Sequence, residues 1–278
     1  MFIFKSKKEL QKHLFAFGRG KRIGFTATMG ALHKGHLYLI EQSNLKCDIS
    51  ICSIFVNPTQ FNNANDLANY PNTLTTDLEM LKKAECDIVY IPPVSDLYIK
   101  GETAKSYDFG SLATIMEGEF RPGHFNGMAT VIEKLLNIIK PTIAFFGQKD
   151  LQQLYIVKDL VRQMQSTTQI EGVETVREKS GLAKSSRNKL LSESAKGEAS
   201  FIYNCLNYCK KNKGKGVTAL KSHIQRQFIK QENFTLEYAE FVALKTMLPI
   251  KDWKEKNENA VSISAYHSGV RLIDNIIL

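Results

Sequence analysis

Two histidines stand three residues apart in a glycine-containing segment near the start of the sequence. Residues 28–36 read Thr-Met-Gly-Ala-Leu-His-Lys-Gly-His, so His33 and His36 face the same side of a helix that begins near Lys34. An apolar, β-branched run at residues 22–27 precedes the segment and apolar residues at helical spacing follow it, which predicts strand, turn and helix. Because glycine lets the backbone approach a ligand and a helix start presents N–H donors, the segment is suited to nucleotide phosphates.

Two other interpretations of this histidine pair compete with phosphate binding. A single histidine near a helix start is usually a surface or capping residue, but the H-x-G-H arrangement directly after a strand favours a functional site. A zinc site is the second alternative. No cysteine or carboxylate stands at ligand spacing nearby, which disfavours it.

The elements that position these residues alternate between strands and helices. Apolar runs predict strands at residues 22–27, 48–56, 87–91, 142–146 and 170–176, with helices between them. This order predicts an α/β fold, a doubly wound and mostly parallel sheet. After about residue 175 the pattern changes to two helices and short strands, which predicts a smaller α+β domain. We therefore expect one domain at 1–174 and a second at 175–278.

Three polar clusters come directly after predicted strands. They are the histidine pair, the amides Asn57 and Gln60, and the run Gln148, Lys149 and Asp150. Because ligands of such sheets bind beyond the carboxyl ends of the strands, we expect all three clusters to face one crevice. Neutral amides can bind a hydroxyl, a carboxylate or an amine, and Lys149 is suited to phosphate. For the two amides, turn formation around the intervening proline is an equally good interpretation.

Two further groups are weaker signals. The segment from Lys184 to Arg187 combines two hydroxyls with two cations, which suits a triphosphate, but such tetrapeptides are common in loops. Asp77 and Glu79 on one predicted helix are more typical of a solvated face than of a metal site. The sequence has no P-loop, no G-x-G-x-x-G and no nucleophile motif. The available groups can stabilise charge on an α-phosphate without a covalent enzyme intermediate.

Composition excludes several classes of protein. The 278 residues carry a net charge of +9, but no RNA- or DNA-binding signature accompanies the excess, so a dedicated nucleic-acid role is disfavoured. The five cysteines form no C-x-x-C pair, which is typical of thiols in a reducing cytosol. The sequence has no 18-residue apolar run and no secretory leader, so we expect a cytoplasmic protein with no membrane partner.

Taken together, the segments closely resemble the pantothenate synthetase (pantoate–β-alanine ligase) family. The resemblance runs in order over nearly the whole chain, and the combination of segments is highly specific, whereas H-x-G-H alone indicates only the wider nucleotidyltransferase group. The matching segments are residues 28–36, 53–61, 66–71, 121–125, 146–153, 181–188 and 271–275.

The resemblance implies a fold and a reaction. The fold is a Rossmann-like N-terminal domain of the HxGH nucleotidyltransferase type with a C-terminal lid domain, in a cytosolic homodimer. The reaction is ATP-dependent activation of (R)-pantoate to pantoyl adenylate with loss of pyrophosphate, followed by attack of β-alanine to give pantothenate and AMP. Mg²⁺ is expected mainly on the phosphates, with help from Asp77.

The resemblance also implies residue roles. His36 is the expected proton donor, His33 stabilises the transferring phosphate, and Lys149 and Arg187 are cations that meet the developing charge. Gln60 is expected to hold both pantoate and β-alanine, with Asn57 near the amine and Gln153 on pantoate. The residues expected to bind ATP are Met29, Gly30, Ala31, Leu32, His33, Lys34, Gly35, His36, Gly147, Gln148, Lys149, Asp150, Val176 (through its backbone), Lys184, Ser185, Ser186 and Arg187.

Some positions depart from the family pattern, and two rival functions stay open. Ala27 stands where proline is common, Asn72 replaces an arginine, Lys184 replaces an apolar residue, and Thr76 precedes Asp77 where a second acid is frequent. None of these removes a group that the chemistry needs. The rivals are another HxGH nucleotidyltransferase acting on a small anionic substrate and a basic nucleic-acid-binding protein without catalysis.

Overall fold

The computed structural model of the chain describes residues 1–18, 20–61, 67–68, 70–253 and 258–278. Its strands are β1 (Phe2–Phe4), β2 (Ile23–Thr28), β3 (Ile49–Ile54), β4 (Ile88–Tyr90), β5 (Ile143–Gly147), β6 (Gln169–Val173), β7 (Phe234–Ala243), β8 (Asn259–His267) and β9 (Val270–Ile277). Its helices are α1 (Lys7–Ala16), α2 (Lys34–Lys46), α3 (Leu74–Lys83), α4 (Val94–Leu97), α5 (Glu117–Phe120), α6 (His124–Ile139), α7 (Leu151–Gln163), α8 (Glu193–Lys211) and α9 (Val217–Ile229). None of the helices in these residues is long and apolar enough to cross a membrane.

The first six strands form one parallel sheet. The strand order is β1-β4-β3-β2-β5-β6, and each neighbouring pair is parallel. Every residue of β3 is buried, as expected for a strand covered by helices on both faces of the sheet. The α/β prediction with a doubly wound parallel sheet is confirmed.

The direction of winding changes between β2 and β5. From β2 the chain proceeds to β3 and β4 on one side of the sheet, and it returns to β5 and β6 on the other side. Doubly wound sheets bind ligands at such a switch point, beyond the carboxyl ends of the two strands. Those ends are Thr28, which is the first residue of the histidine segment, and Gly147.

Contacts divide the chain into two compact units. The first comprises Met1–Gly147 and Gln153–Glu174, and the second comprises Gln148–Gln152 and Thr175–Leu278. In the second unit, β7, β8 and β9 form an antiparallel three-stranded sheet. Apolar residues of α8, α9 and this sheet share one core, which includes Ile202, Leu206, Leu220, Ile224, Phe228, Phe241, Val261 and Ile263. A smaller α+β C-terminal fold is therefore confirmed.

The five cysteines are all free thiols. Four of them are buried, and Cys47 is half-buried. Burial raises the pKa of the Cys86 thiol to about 12, so this thiol stays protonated and unreactive at neutral pH. The interpretation of the cysteines as core or surface thiols is confirmed.

Helix α6 passes unusually close to the 3₁₀ turn Pro58–Gln60, and a glycine permits the approach. A Cβ atom on Gly127 would lie 2.1 Å from the carbonyl oxygen of Thr59 and 2.7 Å from the Cα atom of Gln60. Both atoms belong to backbone, which cannot rotate away from the added methyl group. Only glycine therefore fits position 127.

We expect Gly127→Ala to lower the free energy of unfolding by about 1–3 kcal/mol, because the added carbon forces the helix and the turn apart. Urea titration followed by circular dichroism measures this change. Gly197→Ala is the control, since Gly197 lies inside α8 with no atom within 4 Å of an added Cβ. That change should stabilise by about 0.5–1 kcal/mol. Wild-type stability of Gly127→Ala would contradict the packing argument.

Candidate active site

The histidine segment forms a tight turn followed by the first turn of α2. Gly30 and Ala31 both adopt left-handed backbone, with φ of 79° and 51°. His33 is the N-cap of α2, and its Nδ1 atom accepts a hydrogen bond from the N–H of Gly35 at 3.1 Å. The helix starts at Lys34, which confirms the predicted start.

The two imidazole rings lie side by side. The ring centroids of His33 and His36 are 4.0 Å apart with an interplanar angle of 31°. Because Nδ1 of His33 accepts a hydrogen bond from the backbone, the proton of the neutral ring lies on Nε2. The prediction that both histidines face the same side is confirmed, and His33 is set up as an Nε2–H donor.

A buried carboxylate on α3 holds the turn in place. Asp77 is only 1 % exposed. Its Oδ2 atom accepts the N–H of Ala31 at 2.9 Å, and its Oδ1 atom accepts the N–H of Leu32 at 2.8 Å and the hydroxyl of Thr73 at 3.1 Å. The prediction of a solvated face is therefore wrong for Asp77, because the carboxylate is needed by buried backbone donors. Glu79 on the same helix is exposed.

Asn57 and Gln60 lie together at the end of β3. Both are buried, with exposed fractions of 1 % and 9 %. The Nδ2 atom of Asn57 donates to Oε1 of Gln60 at 3.1 Å, and Nε2 of Gln60 donates to the sulfur of Met29 at 2.9 Å. Gln60 thus contacts Met29 of the segment 28–36 at the carboxyl edge of the sheet.

The side chain of Asn57 is fully used by protein partners. Besides Gln60, its Nδ2 atom donates to the carbonyl oxygen of Gly127 at 3.1 Å. Its Oδ1 atom accepts from the hydroxyls of Tyr98 at 2.7 Å and Thr59 at 3.1 Å. All four hydrogen-bonding positions of the Asn57 amide are therefore paired with protein groups, one of which is Gln60. The expected position of Asn57 near the amine of β-alanine stays a prediction.

A histidine from the segment 121–125 supports Gln60 through its backbone. The Nδ1 atom of His124 is 2.9 Å from the carbonyl oxygen of Gln60, and Nη1 of Arg121 is 3.0 Å from Nε2 of His124. Because a guanidinium only donates and a carbonyl only accepts, the ring is neutral with its proton on Nδ1. The sequence supplied this segment as part of the resemblance but gave it no role.

Gln153 and Gly147 complete the predicted groups of the first unit. Gln153 is half-buried in the first turn of α7, and Gly147 ends β5. Of the matching segment 66–71, Asp66 and Asn69 lie outside the described residues.

In the second unit, the segment with Lys149 is held by the last strand. The Nδ2 atom of Asn275 donates to the carbonyl oxygens of Gln148 and Lys149, both at 2.8 Å. The Nζ atom of Lys149 lies 3.1 Å from Oδ1 of Asp150. The preceding residue in β9, Asp274, forms a two-pronged ion pair with Arg177, with N–O distances of 2.5 and 3.0 Å. The terminal matching segment therefore positions the predicted phosphate-binding lysine.

The predicted triphosphate loop is also ordered by its own side chains. Ser185 caps the 3₁₀ turn Ser186–Leu190 by accepting the N–H of Arg187 at 3.3 Å. The N–H of Lys184 donates to the carbonyl oxygen of Val176 at 2.9 Å, and its Nζ atom pairs with Glu178. The added cation of Lys184 is thus balanced by a neighbouring carboxylate.

Comparison with known proteins identifies what the chain is similar to. The family model for pantoate-beta-alanine ligase matches residues 2–277. The pantothenate synthetase of Flavobacterium psychrophilum is 42% identical over 282 residues, with 100% of both chains covered. The crystal structure of pantothenate synthetase from Thermus thermophilus has a TM-score of 0.92 and 34% identity, with 99% of each chain covered. The pantoate–β-alanine ligase from Francisella tularensis, solved with β-γ ATP and β-alanine, has a TM-score of 0.83 and 36% identity over 100% of this chain and 97% of that chain.

Asp77→Asn should loosen the turn, because one backbone N–H then faces an amide NH₂ group instead of an oxygen. We expect the free energy of unfolding to fall by about 1–3 kcal/mol, the cost of a buried donor without a partner. Hydrogen exchange of the amides of Ala31 and Leu32, measured by NMR, should accelerate. Glu79→Gln removes the same charge from the exposed face of α3 and should leave both amides protected. Equal exchange in the two variants would refute the role given to Asp77.

Proposed function

The chain belongs to the pantoate–β-alanine ligase family and catalyses ATP-dependent formation of an amide between pantoate and β-alanine; from this premise we propose which of its residues carry the reaction. In the first step, a carboxylate oxygen of pantoate bonds to the α-phosphorus of ATP, and the bond to pyrophosphate breaks. In the second step, the amine of β-alanine bonds to the acyl carbon, loses a proton, and AMP leaves. The turn of the H-x-G-H segment at the switch point of the sheet is the observation that carries this assignment.

We propose that ATP binds the H-x-G-H segment and the start of α2. Support comes from the left-handed turn, which brings backbone close to a ligand, and from the positive end of a 13-residue helix. The Nε2–H group of His33 can donate to a phosphate oxygen. His36, one helical turn further on, is proposed as the proton donor of the activation step.

Two cations of the second unit are also proposed to bind ATP. Lys149 and Arg187 are the cations that meet the negative charge gained by the α-phosphate in the first step. In the second unit, the backbone of Gln148 and Val176 and the hydroxyls of Ser185 and Ser186 are proposed as further ATP contacts. In the first unit, the backbone of Gly147 is proposed as one more. The hydrogen bonds of Asn275 to the lysine segment support a preorganised position for Lys149.

We propose that Gln60 binds both pantoate and β-alanine and that Gln153 binds pantoate. Gln60 is neutral and buried at the carboxyl edge of the sheet, which suits recognition of hydroxyl and carboxylate oxygens. Asn57 contributes by orienting Gln60. The amine of β-alanine then attacks the acyl carbon of the adenylate, which Gln60 holds.

We propose that Mg²⁺ enters with ATP, bound to the phosphates. Within the described residues no group of three or more His, Cys, Asp or Glu side chains could hold a metal ion. Both oxygens of Asp77 are occupied by protein donors, so this carboxylate does not fit the role of metal ligand that the sequence suggested for it. The metal is therefore proposed to bind as part of the ATP substrate.

We further propose a homodimer located in the cytosol. The dimer follows from the family resemblance. The compartment is supported by the five free thiols, which are typical of a reducing environment.

The function is tested by following pyrophosphate and AMP from ATP and Mg²⁺. With pantoate alone, we expect a single turnover of pyrophosphate release, because the adenylate stays bound. Addition of β-alanine should make release continuous, with one AMP and one pantothenate per turnover. Continuous release without amide formation would indicate a nucleotidyltransferase of another kind, and no release under either condition would refute the proposal.

His36→Ala should lower the rate of pyrophosphate release by about 100-fold, the usual effect of removing one group that stabilises the transition state. Rapid-quench measurement with pantoate isolates this step from amide formation. His223→Ala is the control, since His223 is half-buried against Tyr208 in the second unit, with ring centroids 3.8 Å apart, and has no proposed role. A wild-type rate in His36→Ala would remove this histidine from the mechanism.

A further inference from the structure

The orientation of the Gln60 amide is determined by a chain of hydrogen bonds that begins at a backbone carbonyl. The oxygen of Gly127 can only accept, so the atom of Asn57 that lies 3.1 Å from it must be the donor Nδ2. The Oδ1 atom of Asn57 then points the other way, where it accepts the hydroxyl of Tyr98 at 2.7 Å. One carbonyl and one phenol thus fix the amide of Asn57.

The orientation of the Gln60 amide follows from that of Asn57. The Nδ2 atom of Asn57 also lies 3.1 Å from the Gln60 amide, and because Nδ2 donates, the Gln60 atom there must be the oxygen Oε1. Nε2 is therefore at the opposite end, beside the sulfur of Met29. An NH₂ group carries two hydrogens, so Nε2 can donate to the sulfur and to a ligand at the same time.

The side chain of Tyr98, at the far end of this series of hydrogen bonds, is held by several contacts. It is 6 % exposed and follows α4 directly. Its ring stacks on Phe55, with centroids 6.3 Å apart, and Nζ of Lys134 lies 4.9 Å above it. Burial raises the pKa of Tyr98, so the hydroxyl keeps its proton and acts as a donor at neutral pH.

We infer that Tyr98 is a positioning residue for the hydroxy-acid substrate: together with the carbonyl of Gly127 and the hydroxyl of Thr59 it holds the Asn57 amide in the orientation in which Gln60 presents a donor, Nε2–H, at the substrate site. The inference rests on the proposed function, in which Gln60 binds pantoate. A presented donor pairs with the carboxylate or hydroxyl oxygen of a hydroxy acid, whereas it cannot accept a hydrogen bond from an ammonium group. The amide orientation therefore favours pantoate over an amine at this position.

The first test is Tyr98→Phe, which removes only the hydroxyl. Loss of one hydrogen bond in the chain should lower kcat/KM for pantoate by about tenfold, with the KM for ATP unchanged. Tyr107→Phe is the matched control. The hydroxyl of Tyr107 donates to Glu133 in the same unit and makes none of the hydrogen bonds that orient Asn57 and Gln60. The control should leave kcat/KM for pantoate at the wild-type value, and an unchanged Tyr98→Phe would overturn the inference.

A double-mutant cycle separates positioning from a general structural effect. If Tyr98 acts through Gln60, the change Tyr98→Phe should have no further effect on kcat/KM for pantoate in a Gln60→Ala background. A hydroxyl that merely stabilises the fold would lower kcat/KM by the same factor in both backgrounds. Such additivity would overturn the inference.

The polarity of Gln60 is tested by Gln60→Glu. Asn57 still donates to one carboxylate oxygen, so the other oxygen replaces Nε2 without a change of shape. We expect kcat/KM for pantoate to fall by more than about 100-fold, and below the value for Gln60→Ala, because a carboxylate then faces the substrate carboxylate. Activity of Gln60→Glu at or above that of Gln60→Ala would mean that an acceptor is tolerated, which overturns the inference.

Assay of the wild-type enzyme separates a failure of the proposed function from a failure of the role given to Tyr98. If it releases no pyrophosphate with pantoate and β-alanine, the proposed function fails and this inference fails with it. If the wild-type enzyme forms pantothenate but Tyr98→Phe is additive with Gln60→Ala, only the positioning role of Tyr98 fails.

Discussion

The requirement that buried polar groups be hydrogen-bonded shapes the carboxyl edge of the parallel sheet. An unpaired buried donor or acceptor costs more than a typical hydrogen bond contributes, so each such group constrains its neighbours. The buried carboxylate of Asp77 needs donors, and the N–H groups of Ala31 and Leu32 supply them, in and directly after the left-handed turn at Gly30 and Ala31. The buried amide of Asn57 needs two donors and two acceptors, and it finds them in the 3₁₀ turn Pro58–Gln60, in α6 and at Tyr98, the residue after α4. The polar groups of the site therefore leave one another few alternative hydrogen-bonding arrangements.

The local part of this arrangement could be predicted from the sequence. Apolar, β-branched runs indicated strands covered on both faces, and glycines with a following helical pattern indicated the turn before α2. Both signals depend on residues that are close in the chain, where backbone periodicity determines side-chain direction. The edge strand β1 was not predicted, because its three residues are too few to show a period. The positions of Asn57 and Gln60 after β3 followed from the same periodicity.

The contacts that orient the site could not be predicted in this way. Tyr98 is 41 residues from Asn57, and Asp77 is 45 residues from Leu32. Spacing along the chain carries no information about such pairs, because they depend on the register of one strand against another and on the packing of helices over the sheet. Gly127 illustrates the limit: nothing in its neighbours indicates that the backbone of Thr59 would lie against it. A buried tyrosine after a short helix has the same appearance whether it fills the core or orients an amide.

The cations of the second unit are held by ion pairs with carboxylates, whereas the amides of the first unit are held by buried hydrogen bonds. Lys149 pairs with Asp150, and Lys184 pairs with Glu178, so their charge is balanced before any substrate arrives. Partly exposed pairs of this kind contribute only about 0–1 kcal/mol, since solvent screens them. A phosphate, with more negative charge and several acceptor oxygens, forms stronger charge-assisted hydrogen bonds than one carboxylate does. Under the proposed function, replacing Asp150 by a phosphate oxygen as the partner of Lys149 therefore requires little free energy. The hydrogen bond from Asn275 to the carbonyl oxygen of Lys149 holds the backbone of the lysine during this replacement.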